Sequence, residues 1–309
     1  MSILHKTVVI GACGCIGEFL AKSLAAHTGQ LILIDLAYQE PRGNEYNCDL
    51  SRIDDHQKLE FFSEVSVVIL ALSYDILTRI FESILPFLPS TALVVDTCPN
   101  KVKIEAYYNQ QLKKHGLNTQ ILSIHPLFRP GLNLVAKPAA YFTKNATKEF
   151  EVFITLLQAL EWHVFESSAK EQDEALSVIQ VNSHALILVL GKILVDSDIS
   201  FEKLLKFATP PFKLLILLIH RILSGVPKVY WDIQCENTYA IQAREQLEKE
   251  LNNFSQLIRQ GKVNKFNELI EDIKQATMFT QHEDLLQSTF NQVIKEIEPY
   301  FIIKDGEAT

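Results

Sequence analysis

Several groups of side chains in this sequence have the type and spacing to do chemistry. The first is Gly11-Ala12-Cys13-Gly14-Cys15-Ile16-Gly17, which follows an apolar run and precedes an amphipathic one. Set against G-x-G-x-x-G, Ala12 stands at the first glycine position with Gly11 just before it, and Gly14 and Gly17 hold the other two. A missing Cβ at Gly14 lets the backbone approach a pyrophosphate, and one at Gly17 lets a helix pack closely on a strand. The start of that helix offers N–H donors and positive potential to an anion. Cys13 and Cys15 read as small residues filling the tight turn. Asp35 closes the second apolar run. An acid there accepts hydrogen bonds from ribose hydroxyls and repels a 2′-phosphate, which favours NAD over NADP. Arg42 lies nearby, and Ser73, just past the third apolar run, joins the cofactor-binding set.

The second group surrounds His125, in Ser123-Ile124-His125-Pro126-Leu127-Phe128. A histidine at the carboxyl end of a parallel strand points to where such sheets bind ligands, and neutral imidazole, with a pKa near 6.5, suits proton or hydrogen-bond acceptance. Taken alone it could equally be structural. A third group comprises Asp173, Gln180 and His184 on one helical pattern, and a fourth has Arg221 nine residues before Tyr230. Asp173 reads either as a ligand contact or as a cap or pairing group near the helix start. His184 reads either as a ligand contact or as a core histidine. Lys213, Tyr230 and Asp232 are open to a packing or salt-bridge role, and the charged run Arg244 to Lys249 reads as a solvated helix face.

The elements that must position these residues change character along the chain. From Lys6 to about Ser168, β-branched runs alternate with amphipathic helices. Strands are expected at Thr7–Ile10, Leu31–Asp35, Val65–Leu72, Thr91–Asp96 and Thr119–Ile124. Runs that are apolar on both faces and separated by helices predict a parallel sheet covered on both sides, the doubly wound α/β arrangement. Trp162 and His163 fit a strand edge. Beyond about Lys170 glycine becomes scarce and helical periodicity continues through Ile303. The predicted domains are therefore 1–168, a Rossmann-like NAD-binding domain, and 169–309, an all-α domain for substrate binding and dimerisation. A helical domain this apolar is expected to bury surface against a second copy, making a homodimer.

Composition narrows the class. The chain has 309 residues, 48% hydrophobic and 21% charged, with 29 basic against 37 acidic side chains and a net charge of −8. It can bury a sizeable core, and its acidic balance argues against a nucleic-acid partner while leaving an anionic small molecule open. The most apolar stretches, Ala185–Val195 and Leu214–Ile219, are interrupted by Gly191, Lys192, Lys213 and His220. Neither reaches the roughly 20 residues of a membrane span. No targeting segment is evident, and the five scattered cysteines read as reduced thiols of a cytoplasmic protein rather than as a disulfide framework or a metal site.

Together these segments resemble the prephenate/arogenate dehydrogenase family, over most of the chain. The family's His-Pro-Met-Phe is similar to His125-Pro126-Leu127-Phe128. Its His-Asp…Gln…His helix is similar to Gln172-Asp173…Gln180…His184. Its Gly-Arg-Leu-Phe-Ala…Leu-Tyr-Ala-Asp-Ile resembles His220-Arg221-Ile222-Leu223-Ser224…Val229-Tyr230-Trp231-Asp232-Ile233. The resemblance implies an NAD-dependent oxidative decarboxylation of prephenate, or of an analogue such as arogenate or 4-amino-4-deoxyprephenate, in tyrosine biosynthesis or a specialised pathway. It implies His125 as the catalytic residue at the C4 hydroxyl and Arg221 as the carboxylate clamp. Gln180, His184, Asp173 and Lys213 are implied to bind a small anionic cyclohexadienyl substrate. A non-catalytic NAD-binding paralogue is the alternative of a different kind. The chain departs from the family's Asp-x-x-Ser-Val-Lys in Asp96-Thr97-Cys98-Pro99-Asn100-Lys101, where Pro99 replaces the serine, and Arg129-Pro130-Gly131 follows the histidine motif.

Overall fold

The computed structural model describes residues 3–132, 134–277 and 281–301, so Ile303 lies outside the described residues. The chain divides into two compact units, Met1–Ala175 and Leu176–Thr309.

The first unit is built on an eight-stranded sheet: β1 (Leu4–Ile10), β2 (Thr28–Ile34), β3 (Glu45–Tyr46), β4 (Val67–Leu70), β5 (Leu93–Asp96), β6 (Gln120–Pro126), β7 (Lys137–Lys144) and β8 (Trp162–Glu166), in the order β3-β2-β1-β4-β5-β6-β7-β8. The expected strands are present, and three more extend the sheet at both edges. The expected all-parallel sheet is corrected in one place, because β7 runs antiparallel to β6. The chain turns back after His125 through a short loop and needs no crossover helix there.

Strand alternation divides the core into two layers, one on each face. Val8, Ile10, Val68, Leu70 and Val94 pack on one face with Leu77, Phe81 and Tyr108. Val9, Val67, Ile69, Leu93 and Val95 pack on the other with Leu20, Leu24 and Phe153. Each fully buried side chain of this kind contributes about 1.5–3 kcal/mol relative to exposure. The register Ile10↔Leu70, Leu70↔Asp96 and Asp96↔Ser123 aligns the carboxyl ends of β1, β4, β5 and β6. The strand order reverses direction at β1 and β4, the switch point where doubly wound sheets bind ligands.

The second unit is helical, with Ser183–Val195, Phe201–Lys206, Pro210–Leu223, Pro227–Glu236, Ala240–Arg259, Val263–Ala276 and Glu283–Ile297. Its buried centre is small, formed by Val181, Ile233, Ala240 and Ala243. The compact units divide at 175/176, a few residues beyond the expected domain boundary at 168/169. One expectation is corrected here: the apolar stretch around Ala185–Val195 is not short. It belongs to one helix, Ala169–Val195, of 27 residues, in which an 18-residue window has mean hydropathy 1.8 and is only 6% buried, so the helix is long and apolar enough to cross a membrane by length and composition. Gly191 and Lys192 interrupt the apolar sequence but not the helix.

Candidate active site

The glycine loop turns at the end of β1. Gly11 has φ +84°, a conformation that favours glycine, and a Cβ there would lie 2.3 Å from the Ala71 carbonyl oxygen. The tight-turn role thus belongs to Gly11, while Ala12 is buried. At Gly17 a Cβ would meet the Gly11 carbonyl oxygen at 2.0 Å, so the helix Cys15–Leu24 can rest on the loop only with glycine at that position. Gly14 forms the N-cap of this helix and has no side chain with which to cap it. The first N–H groups of the helix, those of Cys15, Ile16 and Gly17, have no intrahelical acceptors, which makes the turn a ready anion cradle.

Asp35 follows β2 and holds the loop from below. Its carboxylate accepts the Cys13 N–H at 2.9 Å and the Ala37 N–H at 2.9 Å. Cys13 and Cys15 are exposed rather than filling the turn. Burial and the Asp35 charge push the Cys13 thiol up, which keeps it protonated and poorly nucleophilic. Ser73 is exposed at the N-cap of the helix Tyr74–Ile84 and makes no capping bond with its side chain.

His125 sits near the end of β6, every residue of which is buried. It is 7% exposed, and its Nδ1 is buried without a hydrogen-bond partner among the described residues. Burial first, and the Lys101 charge second, lower its pKa to about 3. The sequence-level value near 6.5 is therefore corrected: His125 is neutral throughout the physiological range. Phe128 anchors the following turn by edge-on contacts with Phe19 and Trp162, at centroid distances of 5.6 and 5.1 Å. Arg129 is exposed in that turn, and Pro99 is half-buried in the loop after β5.

Beneath His125 lies a polar cluster that sequence reasoning missed. Lys101 and Asp96 are both 0% exposed and pair at 3.6 Å. The Lys101 ammonium donates to Ser123 Oγ at 2.8 Å and to the Ile124 carbonyl at 3.1 Å. Tyr108 donates its hydroxyl to Asp96 at 3.2 Å, and the Cys98 N–H donates to the same carboxylate at 2.9 Å. The available signal was Asp96 at a strand end with a basic residue five positions later, opening a helix.

Asp173, expected among the substrate contacts, is reassigned. It is fully buried, and its two carboxylate oxygens accept the N–H groups of Lys101 and Val102 at 2.8 and 3.0 Å. It caps the helix Lys101–His115, which its own N-cap residue Asn100 leaves without a side-chain cap. Burial pushes the Asp173 carboxyl up against the opposing pull of these amides. Gln172 is likewise buried, donating to the Ser167 carbonyl at 3.1 Å.

In the helical unit, Arg221 and His184 meet on Tyr230. Arg221 Nη1 lies 3.3 Å from the Tyr230 hydroxyl, and the His184 and Tyr230 rings pack edge to face at 5.2 Å. Burial and the Arg221 charge lower the His184 pKa. Gly225 makes room for this ring, since a Cβ there would lie 2.6 Å from the Tyr230 hydroxyl. Gln180 is half-buried in the π-helical stretch Ser177–Asn182. Gln234 donates to the Val181 carbonyl of that stretch at 2.8 Å and is held in turn by Arg244 at 2.6 Å. Arg244 is thus a half-buried brace rather than part of a solvated face. Lys213 stands apart from the Tyr230 cluster, its ammonium 5.7 Å from the Phe301 ring centroid, and Asp232 pairs with Lys228. Among the described residues no group of three or more His, Cys, Asp or Glu is placed to hold a metal ion.

Comparison with known proteins adds to this geometry. Residues 168–272 match the family model described as the prephenate dehydrogenase dimerization domain. The helical part of the chain is thus similar to the dimerization domain of prephenate dehydrogenases. A 4-amino-4-deoxyprephenate dehydrogenase of Streptomyces pristinaespiralis is 24% identical over 274 residues, covering 88% of this chain and 91% of its own. A probable arogenate/prephenate dehydrogenase of Methanocaldococcus jannaschii is 20% identical over 81% of this chain, which spans 56% of that relative's length. Among solved structures, prephenate dehydrogenase from A. aeolicus in complex with hydroxyphenyl propionate and NAD+ superposes with a TM-score of 0.69 at 19% identity, covering 89% of this chain and 98% of its own. Pro99 offers neither a hydroxyl nor a backbone N–H in the loop after β5.

Proposed function

We propose that the protein is an NAD-dependent dehydrogenase that oxidatively decarboxylates prephenate or a close cyclohexadienyl analogue such as arogenate or 4-amino-4-deoxyprephenate. The observation that carries this reading is His125, buried and uncharged, at the same carboxyl edge of the sheet as the glycine cradle. The cradle fits a dinucleotide: Gly11 and Gly17 leave space that a Cβ would fill, and the helix start at Cys15 to Gly17 offers an anion N–H groups that have no intrahelical acceptor. Gly11 to Gly17 and Ser73 would hold the cofactor, and Asp35 would select the ribose hydroxyls of NAD over the phosphate of NADP. Bound NAD supplies the hydride acceptor for oxidation at C4, with the C1 carboxylate lost as carbon dioxide.

The residues of this chain then have modest tasks. When C4 carries a hydroxyl, the aromatic product is a phenol that keeps its proton, so no strong base is required. His125 need only accept a hydrogen bond from that hydroxyl while positive charge builds on its oxygen, and an imidazole of low pKa remains unprotonated to do so. Arg221 offers a planar guanidinium to a substrate carboxylate, with Tyr230 fixing its direction. His184 and Gln180 orient further polar groups of the ligand, and Lys213 contributes positive charge. The long apolar helix is covered by a second copy in a cytoplasmic homodimer, a reading supported by the dimerization-domain match.

The test is NADH formation by purified protein with prephenate, arogenate and 4-amino-4-deoxyprephenate in turn, with NADP as a control. Turnover on one of the three is expected. NAD binding without turnover on any would favour the non-catalytic paralogue and reject the proposal.

A further inference from the structure

We propose that Lys101, locked by Asp96, is a positioning residue for His125, fixing the strand end that carries the imidazole and placing an ammonium behind it. This inference deepens the dehydrogenase reading and rests on it for its functional meaning, though its physical content does not. A lysine with no exposed surface is unusual, since burying an ammonium is costly unless it is both paired and hydrogen-bonded. Lys101 meets that condition through three contacts to two adjacent strands: Asp96 on β5, and Ser123 Oγ and the Ile124 carbonyl on β6. Ser123 and Ile124 immediately precede His125, so the ammonium clamps the last turn of backbone before the imidazole.

The groups arranged around this charge come from every neighbouring element. β5 supplies Asp96, the loop after it the Cys98 thiol, the helix Lys101–His115 supplies Tyr108, and the helix Ala169–Leu176 supplies Asp173. Asp96, Cys98 and Asp173 act on Lys101, and Lys101 is the charged group that acts on His125. Protonating His125 would bring a second buried cation beside the first. The pair therefore does two things at once: it orients the ring through the backbone, and it opposes imidazolium formation through space. Neither requires Lys101 to touch substrate.

The experiment compares wild type with Lys101→Met and with the charge-neutral double variant Lys101→Met/Asp96→Asn, which avoids stranding a buried carboxylate. The primary readout is the His125 ring titration by NMR in cofactor-free full-length protein, its signal identified by loss in His125→Asn. The wild-type ring is expected to stay neutral down to pH 5. In a folded variant its midpoint should rise by about one unit or more, the shift expected from removing a nearby like charge. The acidic limb of the kcat/KM profile should move up in parallel with turned-over substrate. A folded double variant whose His125 titrates as in wild type would overturn the proposal, whatever happens to kcat. Because the titration needs no substrate, that failure is distinguishable from failure of the dehydrogenase reading.

Discussion

His125 makes the stability of the sheet unit depend on acid in a way that can be worked out. In the unfolded chain its imidazole takes up a proton near pH 6.5, whereas in the folded protein burial and Lys101 hold that step down to about 3. Between these values the unfolded state binds one more proton than the folded state, so stability is complete above 6.5 and falls as pH drops below it. Each unit is worth about 1.4 kcal/mol, so lowering the pH to 4.5 costs roughly 3 kcal/mol from this one residue. Against a typical stability of about 5–15 kcal/mol, that is a large fraction. Carboxylates held below their usual range, such as Asp49 and Glu149, also lose stabilisation in acid, but they are shared by any variant at position 125. The perturbation is therefore His125→Asn, and the measured quantity is the difference between the two pH dependences. Trp162 is buried against Phe19 and Phe128 and reports on this unit, while Trp231 is 66% exposed in the other and can be replaced by Phe in both proteins. Urea unfolding followed by Trp162 emission at pH 7, 5.5 and 4.5 should show wild type losing about 3 kcal/mol more than His125→Asn. Parallel losses would refute the conclusion that the folded protein keeps this imidazole neutral.

Two further outcomes test the cofactor loop and the reassigned aspartate. Gly17→Ala places a methyl group 2.0 Å from the Gly11 carbonyl oxygen, and the resulting shift of loop against helix should cost about 1–3 kcal/mol and at least tenfold in NAD affinity by calorimetry, with unchanged affinity counting against the cradle. Asp173→Ala strands two N–H groups at the buried start of the helix Lys101–His115, so about 2–4 kcal/mol of stability should be lost in urea, with Asp173→Asn losing less because it keeps one acceptor. A large rise in KM at unaltered stability would instead return Asp173 to the substrate contacts.

Local pattern could carry sequence reading as far as it did because some signals are contained within a few residues. Val67 to Leu70 and Leu93 to Val95 are apolar on both faces, and that alone marks covered parallel strands. Gly11 to Gly17 is legible for the same reason: the clash that forbids a side chain at Gly17 arises only six residues away, at Gly11. β7 was illegible because its first half, Lys137-Pro138-Ala139-Ala140, has neither alternation nor β-branched residues, and that half is held as strand by pairing with β6 and β8. β3 has two residues, too few for any period. The membrane-length helix was missed because glycine and lysine break an apolar run in sequence, whereas a helix turns Lys192 out to its Asp196 partner and continues.

The candidate site divides along the same line. Types and spacing pointed to His125, Arg221 and Asp35 because each must present its own functional group. Asp173 and Lys101 could not be understood that way, since each is defined by a partner elsewhere in the chain. Asp173 is a cap for a helix that begins 72 residues earlier, and Lys101 is buried only because Asp96, Ser123 and the Ile124 carbonyl converge on it. The same convergence determines the chemistry of His125, whose intrinsic pKa is a property of imidazole and whose value of about 3 is a property of its surroundings. An acceptor that stays neutral is sufficient only if the ring hydroxyl keeps its proton in the product. On the proposed function, the buried lysine and an aromatising substrate are therefore linked. A reaction that needed net proton removal at this position would be poorly served by a histidine held against a cation, whereas one that needs a hydrogen bond to a transient positive charge is well served by it.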